Sequence, residues 1–318
     1  MKSRYHVSRK AGMSMHTDQL EYFIAIAESL SFTEASYSLM ISQSSLSKQI
    51  TKLEDELNVK LFSREKRQLQ LTPAGHDFLV YAQNALKNYR TIKSELSRYS
   101  AEKSITIGSV DHLGKVGLTE PIASFMDQFP EDNLHINIQK GYAQQVVSWL
   151  LEGKTDICFT AKIEDREQHV SNLSVFDLTD YYCRDLVSDE YFAIVPSNHP
   201  LAGRSCIDWA ELKEERLLIL DKQNSVNSLI RNRFSYYHIV PHIAFECNQT
   251  DALLKMVEDG YGITFLSGLV ATTTYDVRKI KMNQPLSRYT TMIVKNSQMQ
   301  KKSLVSQFAS YVEAFCIH

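Results

Sequence analysis

The sequence has no long hydrophobic run and no excess of charge of one sign. No stretch approaches the ~18 consecutive apolar residues of a membrane-spanning helix, and the basic residues near the start are not followed by the apolar core of a secretory signal. Lysine and arginine number 35 against 37 aspartate and glutamate residues, so the formal net charge is -2. These absences predict a cytoplasmic protein on which any nucleic-acid-binding surface must be local.

Paired cysteines are also missing. The chain has 5 cysteines, an odd number, and none of them lies in a CxxC pair or in a Cys/His pair at metal-ligand spacing. This pattern disfavours a disulfide framework and a structural zinc site. We therefore expect a reducing compartment and neither a metal nor a cofactor.

Catalytic motifs are absent as well. The sequence contains no nucleophile elbow, Walker loop, dinucleotide glycine fingerprint or HExxH segment. The segment from Gly260 to Gly262 is too short to hold a phosphate and is better interpreted as a helix stop. The protein is therefore not expected to be an enzyme.

Glycine and proline are scarce in one part of the chain only. Between residues 15 and 103 they occur once each, at Gly75 and Pro73, and helical periodicity dominates; alternating β-branched segments separated by turns follow. A length of 318 residues predicts two or more domains, and we place the division near residues 100–104. Residues 1–14 show no periodicity and are interpreted as a disordered extension, an expression scar or an upstream start.

Three short helices are predicted after residue 15. Apolar residues recur at helical spacing from Leu20 to Ala27, and Ser31 and Glu34 have the spacing of a capping box at the start of the second helix. Ser42 opens the third helix. The buried side of that helix is formed by Leu46, Ile50, Leu53 and Leu57. Such closely spaced helices are typical of a helix-turn-helix.

The other side of the third helix is small and polar, as a helix that enters the major groove requires. A solvated helix face without a partner is the competing interpretation. Basic residues follow the second helix while several acidic ones precede the third, and this segregation places positive charge on one side of the domain. The candidate DNA-binding residues are Ser31, Thr33, Gln43, Ser44, Ser47, Lys48, Thr51, Lys52, Arg64, Lys66 and Arg67.

The segment from Leu61 to Thr72 has apolar ends around a charged tip and predicts a two-stranded wing. Arg64, Lys66 and Arg67 would then contact the DNA backbone or the minor groove. A surface hairpin without a partner is the alternative.

A long helix is predicted next, with Thr72 as its cap and Pro73 at its first position. Its apolar residues alternate steps of four and three over three heptads, the pattern of a coiled coil. We expect it to pair with its copy in a homodimer; packing against its own domain is the alternative. The predicted dimerisation residues are Phe78, Ala82, Ala85, Tyr89, Ile92, Leu96 and Tyr99. A two-fold dimer matches a palindromic DNA site.

Together these motifs resemble the LysR-type transcriptional regulators, and the resemblance covers almost all of residues 18–76. It is carried by QLEYF (19–23), SFTEA (31–35), SQSSLSKQI (42–50), LE (53–54), LFSR (61–64) and LTPAG (71–75). Two positions depart from the family pattern: Ser44 replaces a common proline, which puts base preference in doubt, and Ser36 replaces an alanine. The resemblance also implies that the family-like chain begins at Met15.

The second half predicts an α/β domain. Residues 105–160 read as β-α-β-α-β, hence a parallel sheet, and a second set of strands and helices follows from 191 to 266. This half resembles the periplasmic-binding-protein-like effector domain of the same family, which implies two lobes around a cleft. The implied organisation is a winged helix-turn-helix (15–73), a linker and dimerisation helix (74–100) and an effector domain (104–318), with lobe 1 at 104–162 and 269–318 and lobe 2 at 163–268.

Ligands of open α/β sheets bind beyond the carboxyl ends of the strands. By local match to the family, the implied effector contacts are Ser109, His112, Tyr142, Thr160, Asn224, Ser225 and Gln249. Each has a structural alternative, such as helix capping by Ser225 or loop packing by Tyr142. Arg231 and Arg233, on a helix of lobe 2, are candidates either for pairing with an anionic ligand or for simple solvation.

The resulting hypothesis is a sequence-specific DNA-binding transcriptional regulator whose two lobes respond to a small-molecule effector. Its expected partners are a palindromic promoter site on double-stranded DNA, the effector and a second copy of the chain; the resemblance implies a tetramer, and RNA polymerase is a candidate. One alternative is a thiol-based redox sensor that uses Cys183 and Cys206. Another is a transport-type solute-binding protein, which would require export and would leave the helix-turn-helix without a role.

Overall fold

The computed structural model describes residues 15–65, 68–97, 103–110, 113–129, 134–271, 274–301 and 303–316. The interpretation of residues 1–14 and the predicted sites Lys66, Arg67, Tyr99 and His112 lie outside these ranges. The chain divides into two units, Met1–Lys93 and Ser94–His318. The first is mainly helical and the second is α/β.

The first unit is a winged helix-turn-helix followed by a long helix. Its elements are α1 (Thr17–Ser29), α2 (Phe32–Ser38), α3 (Gln43–Leu57), the strands β1 (Phe62–Glu65) and β2 (Gln68–Leu71), and α4 (Pro73–Ser97). The strands pair antiparallel, with Phe62 opposite Leu71, and form the predicted wing. Side chains from all four helices and the wing share one core, which includes Phe23, Leu46 and Leu86.

Ser31 and Ser42 cap the N-termini of the second and third helices, as predicted. The Ser31 hydroxyl accepts a hydrogen bond from the Glu34 N–H at 3.3 Å, and the Ser42 hydroxyl accepts one from the Ser45 N–H at 3.2 Å. The capping box at α2 is only half formed, because the Ser31 N–H donates to the Ser29 hydroxyl instead of to Glu34. The two caps fix the ends of the short connection that places α3 after α2.

Glu54, near the end of α3, ties this helix to the wing. Its carboxylate is buried and accepts hydrogen bonds from the N–H groups of Leu61 at 2.9 Å and Phe62 at 3.2 Å, and from Lys60 Nζ at 2.7 Å. Gly75, in the first turn of α4, lies against the same segment. A Cβ at Gly75 would come within 2.2 Å of the Leu61 carbonyl oxygen, so only glycine fits this close approach.

The first half of the predicted dimer seam belongs to the core of the domain. Phe78 packs edge-on against Phe23 with ring centroids 4.9 Å apart, and Ala82 is fully buried. Ala85 packs against the same core. Phe78 and Ala82, which were predicted for the dimer seam, thus face the core of their own chain, because the start of α4 covers the apolar side of the short helices.

The second unit contains eleven described strands and six described α-helices. The strands are β3 (Ser104–Ser109), β4 (His135–Lys140), β5 (Ile157–Asp165), β6 (Val170–Ser171), β7 (Tyr181–Pro196), β8 (Cys206–Ile207), β9 (Arg216–Leu220), β10 (His242–Cys247), β11 (Thr264–Ser267), β12 (Val277–Met282) and β13 (Ser287–Lys295). The helices are α5 (Thr119–Met126), α6 (Ala143–Leu151), α7 (Ser225–Tyr236), α8 (Thr250–Glu258), α9 (Asn296–Met299) and α10 (Leu304–Cys316), and a 3-10 turn covers Trp209–Leu212.

The main sheet has the strand order β4-β3-β5-β13-β7-β12-β8, with β11 also paired to β7. The predicted parallel arrangement holds for β3, β4 and β5. The sheet then continues antiparallel, because β13 enters between β5 and β7 and runs opposite to both. A separate parallel pair is formed by β9 and β10.

Two lobes form around separate cores. The first-lobe core includes Ile105, Phe125 and Phe308, and the second-lobe core includes Trp209, Phe234 and Leu254. The lobes are joined by β5, β7 and β13, which extend between them.

The lobe boundaries differ from the predicted ones. Leu269 packs against the first-lobe core, but the chain then goes back to the second lobe: β12 pairs with the second-lobe half of β7, and Ile280, Met282 and Leu286 lie in the second-lobe core. Conversely, Tyr182 and Leu186 of β7 pack against the first-lobe core although they fall inside the predicted lobe 2. The return crossing is β13, whose long pairing with both neighbours could not be read from its sequence.

A candidate DNA-binding surface and a candidate effector cavity

The two sides of α3 differ sharply in exposure. Leu46, Ile50 and Leu53 are buried in the core of the first unit. The predicted contact residues of this helix lie on the other side and are all exposed: Gln43, Ser44, Ser47, Lys48, Thr51 and Lys52. Sequence reasoning therefore identified the solvent-facing side of α3 correctly, and no described element of this unit covers it.

Several polar groups at the start of α3 form a local network. The Thr33 hydroxyl on α2 donates to Gln43 Oε1 at 3.5 Å, and the hydroxyls of Ser42 and Ser44 lie 3.1 Å apart. Thr33 is exposed, whereas Ser31 is half-buried and its hydroxyl is used as the cap of α2. These contacts hold the leading side chains of α3 in place, which favours recognition by a preorganised surface.

The exposed surface of the winged helix-turn-helix carries cations that are not neutralised by neighbours. Lys48 and Lys52 on α3 and Arg64 on β1 are exposed, and none of the three forms an ion pair with a described residue. Lys60 differs, because it pairs with Glu54 at 2.7 Å, and the hydrogen bond to Glu54 raises the pKa of Lys60. Unpaired cations beside short polar side chains are suited to phosphate contacts around a base-reading helix.

The second unit contains a cavity of about 310 Å³, here called the cleft cavity. First-lobe residues after β3 and β4 line one side, and second-lobe residues after β9 and β10 line the other. Residues of β5, β7 and β13 complete the lining between the lobes. The first turns of α6, α7 and α8 all reach this cavity, and helix N-termini present free N–H groups and positive potential.

Three of the predicted effector contacts line the cleft cavity: Tyr142, Asn224 and Ser225. The Tyr142 hydroxyl donates to Asp221 Oδ2 at 3.4 Å, which links the first lobe to the second. The Asn224 side chain also caps α7 by accepting from the Val226 N–H at 3.2 Å.

The other described predictions do not line the cavity. Thr160 is fully buried and donates to the Ala143 carbonyl at 2.9 Å, and Ser109 donates to the Val110 carbonyl at 2.8 Å. Gln249 is the N-cap residue of α8, and its neighbours Asn248 and Thr250 line the cavity instead. The structure therefore places these three predicted residues beside the cavity lining and not in it, because local match to the family does not fix which side of a loop faces the cavity.

Neither helix arginine of the second lobe lines the cavity. Arg231 pairs with Glu246, and Arg233 is fully buried and pairs with Asp165 at 2.5 Å. Both the solvated interpretation of Arg233 and its assignment to an anionic ligand are thus wrong. Its charge is used inside the protein, where α7 meets the end of β5.

Sequence reasoning missed three residues of the crossing strands and their neighbours. Arg288 of β13, Tyr191 of β7 and Ser267 of β11 line the cleft cavity and are all buried. Burial raises the pKa of Tyr191 to about 12. In the sequence all three residues lie among apolar strand residues, and no local pattern distinguishes them from other residues of a sheet. Arg288, a charged residue in an otherwise apolar and hydroxyl-bearing strand, was the only available signal.

Cys183 and Cys206 lie too far apart to form a disulfide within one chain. Cys183 lies on the first-lobe half of β7, opposite Ile293, whereas Cys206 pairs with Lys281, which in turn faces Phe192. From Cys183 to Phe192 the chain runs nine residues along one strand, ~30 Å at ~3.3 Å per residue. A disulfide needs Cα atoms within ~7 Å. Burial also raises the pKa of Cys183, so its thiol is not activated.

The described ranges contain no group of three or more metal-ligating side chains. Within the same ranges, no helix is both long and apolar enough to cross a membrane.

Comparison with known families agrees with this geometry. Residues 17–76 match the family described as bacterial regulatory helix-turn-helix protein, lysR family, and residues 100–316 match the LysR substrate binding domain. The chain belongs to the LysR family. It is a LysR-type transcriptional regulator with a DNA-binding helix-turn-helix and a domain for small-molecule effectors, and members of this family are regulators, not enzymes. This assignment replaces the transport-type alternative.

The relatives of this LysR-type regulator cover most of its length. YybE of Bacillus subtilis (strain 168), described as an uncharacterized HTH-type transcriptional regulator, is 29% identical over 273 residues, which are 85% of this chain and 89% of YybE. The structure of HinK, a LysR family transcriptional regulator from Pseudomonas aeruginosa, has a TM-score of 0.53 at 24% identity and covers 95% of this chain and 99% of that one. The effector binding domain of QuiR in complex with shikimate has a TM-score of 0.55 at 18% identity and covers 68% of this chain and 98% of that one. These two likenesses concern the fold.

Proposed function

We propose that α3 reads the sequence of a promoter by lying in the major groove of double-stranded DNA. The observation that carries this proposal is the division of α3 into a buried apolar side and an exposed side that holds all of its predicted contact residues. Short hydroxyl and amide side chains can approach base edges, and Lys48 and Lys52 supply the charge that phosphates attract. Arg64 on β1 would extend this positive surface along the DNA backbone.

A homodimer through the distal half of α4 is part of the proposal. Tyr89, Ile92 and Leu96 are 48%, 47% and 55% exposed, although they continue the helical spacing of the apolar seam. Large apolar side chains at this spacing are suited to pairing with the same helix of a second copy. Such a dimer would present two copies of α3 to a palindromic site, and further association of dimers would give a tetramer.

The cleft cavity is the proposed effector site. Its volume lies at the lower end of the ~300–1,000 Å³ typical of small-molecule sites, and both lobes contribute to its lining. The QuiR domain, which has the same fold, binds shikimate, and this supports a small organic effector here. An effector held by both lobes would favour one arrangement of the lobes, and thereby one spacing of DNA-binding domains in the oligomer. A regulator that binds promoters must be in the same compartment as the DNA, so we propose a cytoplasmic location. RNA polymerase is a further proposed partner.

The test begins by mapping the chromosomal sites that the full-length protein binds. The anisotropy of a labelled fragment carrying a mapped site is then compared with that of a shuffled fragment at about 50 and 200 mM salt. We expect a preference for the mapped site on the order of 1,000-fold or more, and weaker binding to both fragments at the higher salt. Equal affinity for the two fragments would refute sequence-specific recognition.

A further inference from the structure

The cleft cavity has a cationic lining. Lys140 at the end of β4 and Arg288 on β13 line it, and no described lining residue is acidic. Arg288 is the more informative of the two, because only 4% of it is exposed. A buried guanidinium usually has a carboxylate partner, but no carboxylate of the described residues forms an ion pair with Arg288.

The acidic residue beside Arg288 in the sheet binds backbone N–H groups and not the guanidinium. Asp189 lies directly opposite Arg288 where β7 pairs with β13. Its carboxylate accepts backbone N–H bonds from Glu190 at 2.8 Å, Leu269 at 3.0 Å and Gly268 at 3.1 Å. Asp189, the strand neighbour that could have neutralised Arg288, therefore stabilises the turn after β11 through its carboxylate oxygens.

The guanidinium of Arg288 keeps donors free for a ligand. It donates to Thr290 Oγ1 at 3.3 Å. A guanidinium has five N–H donors, so most of them have no partner among the described residues. Tyr191 lines the same cavity, and because burial raises its pKa, its hydroxyl keeps the proton that it could donate to a ligand.

Ser267 is a second, independent indication that the cavity accommodates a ligand with hydrogen-bond acceptors. It lies directly opposite Tyr191 in the pairing of β11 with β7, lines the cleft cavity and is 2% exposed. Its hydroxyl has no hydrogen-bond partner among the described residues. A buried hydroxyl without a partner is unfavourable, and an anionic ligand would satisfy it.

We propose that Arg288, Tyr191 and Ser267, here called the Arg288 cluster, receive the carboxylate of a small organic acid, which is the effector of this regulator. The inference rests on the proposal that the cleft cavity is the effector site. The acid must also have an apolar part, because Ile163 and Leu266 line the same cavity. A bare inorganic oxyanion would leave that apolar lining uncovered, so we assign the site to an organic carboxylate.

The test uses the full-length protein and paired probes. Benzoate, succinate and shikimate are each compared with the corresponding uncharged amide, and sodium sulfate and sodium phosphate serve as inorganic anions at equal ionic strength. Thermal unfolding identifies the stabilising probes, and calorimetry gives their Kd values. We expect at least one acid to raise the unfolding temperature while its amide and the inorganic salts do not.

Two substitutions in the cluster and one control separate ligand binding from a structural role. Arg288→Gln is expected to raise the Kd of the stabilising acid about 10- to 100-fold, and Ser267→Ala about 3- to 10-fold. Both variants should unfold without ligand at the wild-type temperature or above, because one removes a buried charge that has no counter-ion among the described residues and the other removes a buried hydroxyl that has no hydrogen-bond partner there. Arg278→Gln, at an exposed position of β12 outside the cavity lining, should leave the Kd unchanged.

Four results would overturn the carboxylate site: no stabilisation by any acid, equal stabilisation by the amides, stabilisation by an inorganic oxyanion only, or an unchanged Kd in both cluster variants. A fall in the unfolding temperature of both ligand-free variants would also contradict it, because that result assigns the cluster to the fold. The wider proposal would survive these results if an uncharged compound bound the cavity and changed DNA affinity. It would fail separately if the wild-type protein showed no preference for its mapped DNA site.

Discussion

The hydroxyl of Tyr142 lies 3.4 Å from a carboxylate oxygen of Asp221 and joins the first lobe to the second beside the cleft cavity. Asp221 also accepts the N–H groups of Gln223 and Asn224 and so holds the loop that precedes α7. The contact therefore connects the start of α6 in one lobe to the start of α7 in the other.

Removal of this hydroxyl should loosen the closed arrangement of the lobes. For Tyr142→Phe we expect faster amide hydrogen exchange in residues 221–226 and a loss of about 0.5–1.5 kcal/mol of unfolding free energy. Tyr261→Phe is the matched control, since Tyr261 is exposed and does not line the cavity. Exchange rates equal to wild type in the Tyr142 variant would show that this hydrogen bond does not hold the lobes together.

The buried carboxylate of Glu54 should be a main support of the DNA-binding domain. Glu54→Ala leaves the buried N–H of Leu61 without an acceptor, which should cost about 1–3 kcal/mol of unfolding free energy in a denaturant titration. Asp55→Ala, at the exposed neighbouring position, is the control and should change stability by less than about 0.5 kcal/mol. Similar losses in the two variants would contradict a specific role for Glu54.

The distal half of α4 should hold two copies of the chain together. The double variant Tyr89→Glu and Ile92→Glu is expected to sediment as a monomer, because two charges per helix would have to be buried at the pairing surface. Its unfolding should change little, since both side chains are exposed within one chain. The control adds the same charge at exposed positions off the seam, with Asn84→Glu and Asn88→Glu. An unchanged sedimentation coefficient in the seam variant would refute pairing through α4.

The buried ion pair between Arg233 and Asp165 should be costly to break. Asp165→Asn leaves the fully buried guanidinium without its counter-ion, and we expect a loss of about 3–5 kcal/mol in the urea unfolding of the effector domain. The exposed pair of Arg204 and Glu211 offers the comparison, and Arg204→Gln should cost about 1 kcal/mol or less. A small loss in the Asp165 variant would mean that water or another group reaches Arg233.

Local sequence patterns were sufficient to predict elements whose structure depends only on residues close together in the chain. The apolar residues of α8 (Thr250–Glu258) follow a clear helical period, so a helix in this part of the second half could be predicted from local sequence. The helix caps at Ser31 and Ser42 could also be predicted from the sequence, because each serine hydroxyl accepts a hydrogen bond from an N–H group only three residues later.

Long-range pairing explains what the sequence did not reveal. The first half of β7, residues 181–190, is largely half-buried or exposed and has no apolar alternation, so only its pairing with β13 makes it a strand. The Arg288 cluster combines residues from three strands that are separated by 76 and 21 positions in the chain. No spacing rule brings Tyr191, Ser267 and Arg288 together, because their meeting depends on the order of strands in the sheet.

The most direct test of the central claim is the DNA affinity of full-length Ser47→Ala and Lys48→Ala variants, measured on the mapped promoter fragment and on shuffled DNA. Lys48→Ala should weaken binding to both fragments and lower the salt slope by about 1, whereas Ser47→Ala should reduce mainly the preference for the mapped site, by about 1–3 kcal/mol. Lys213→Ala, an exposed substitution in the other unit, is the control. Unfolding temperatures should match wild type, because all three side chains are exposed. Unchanged affinity for both fragments in the two α3 variants would contradict the placement of this helix against DNA.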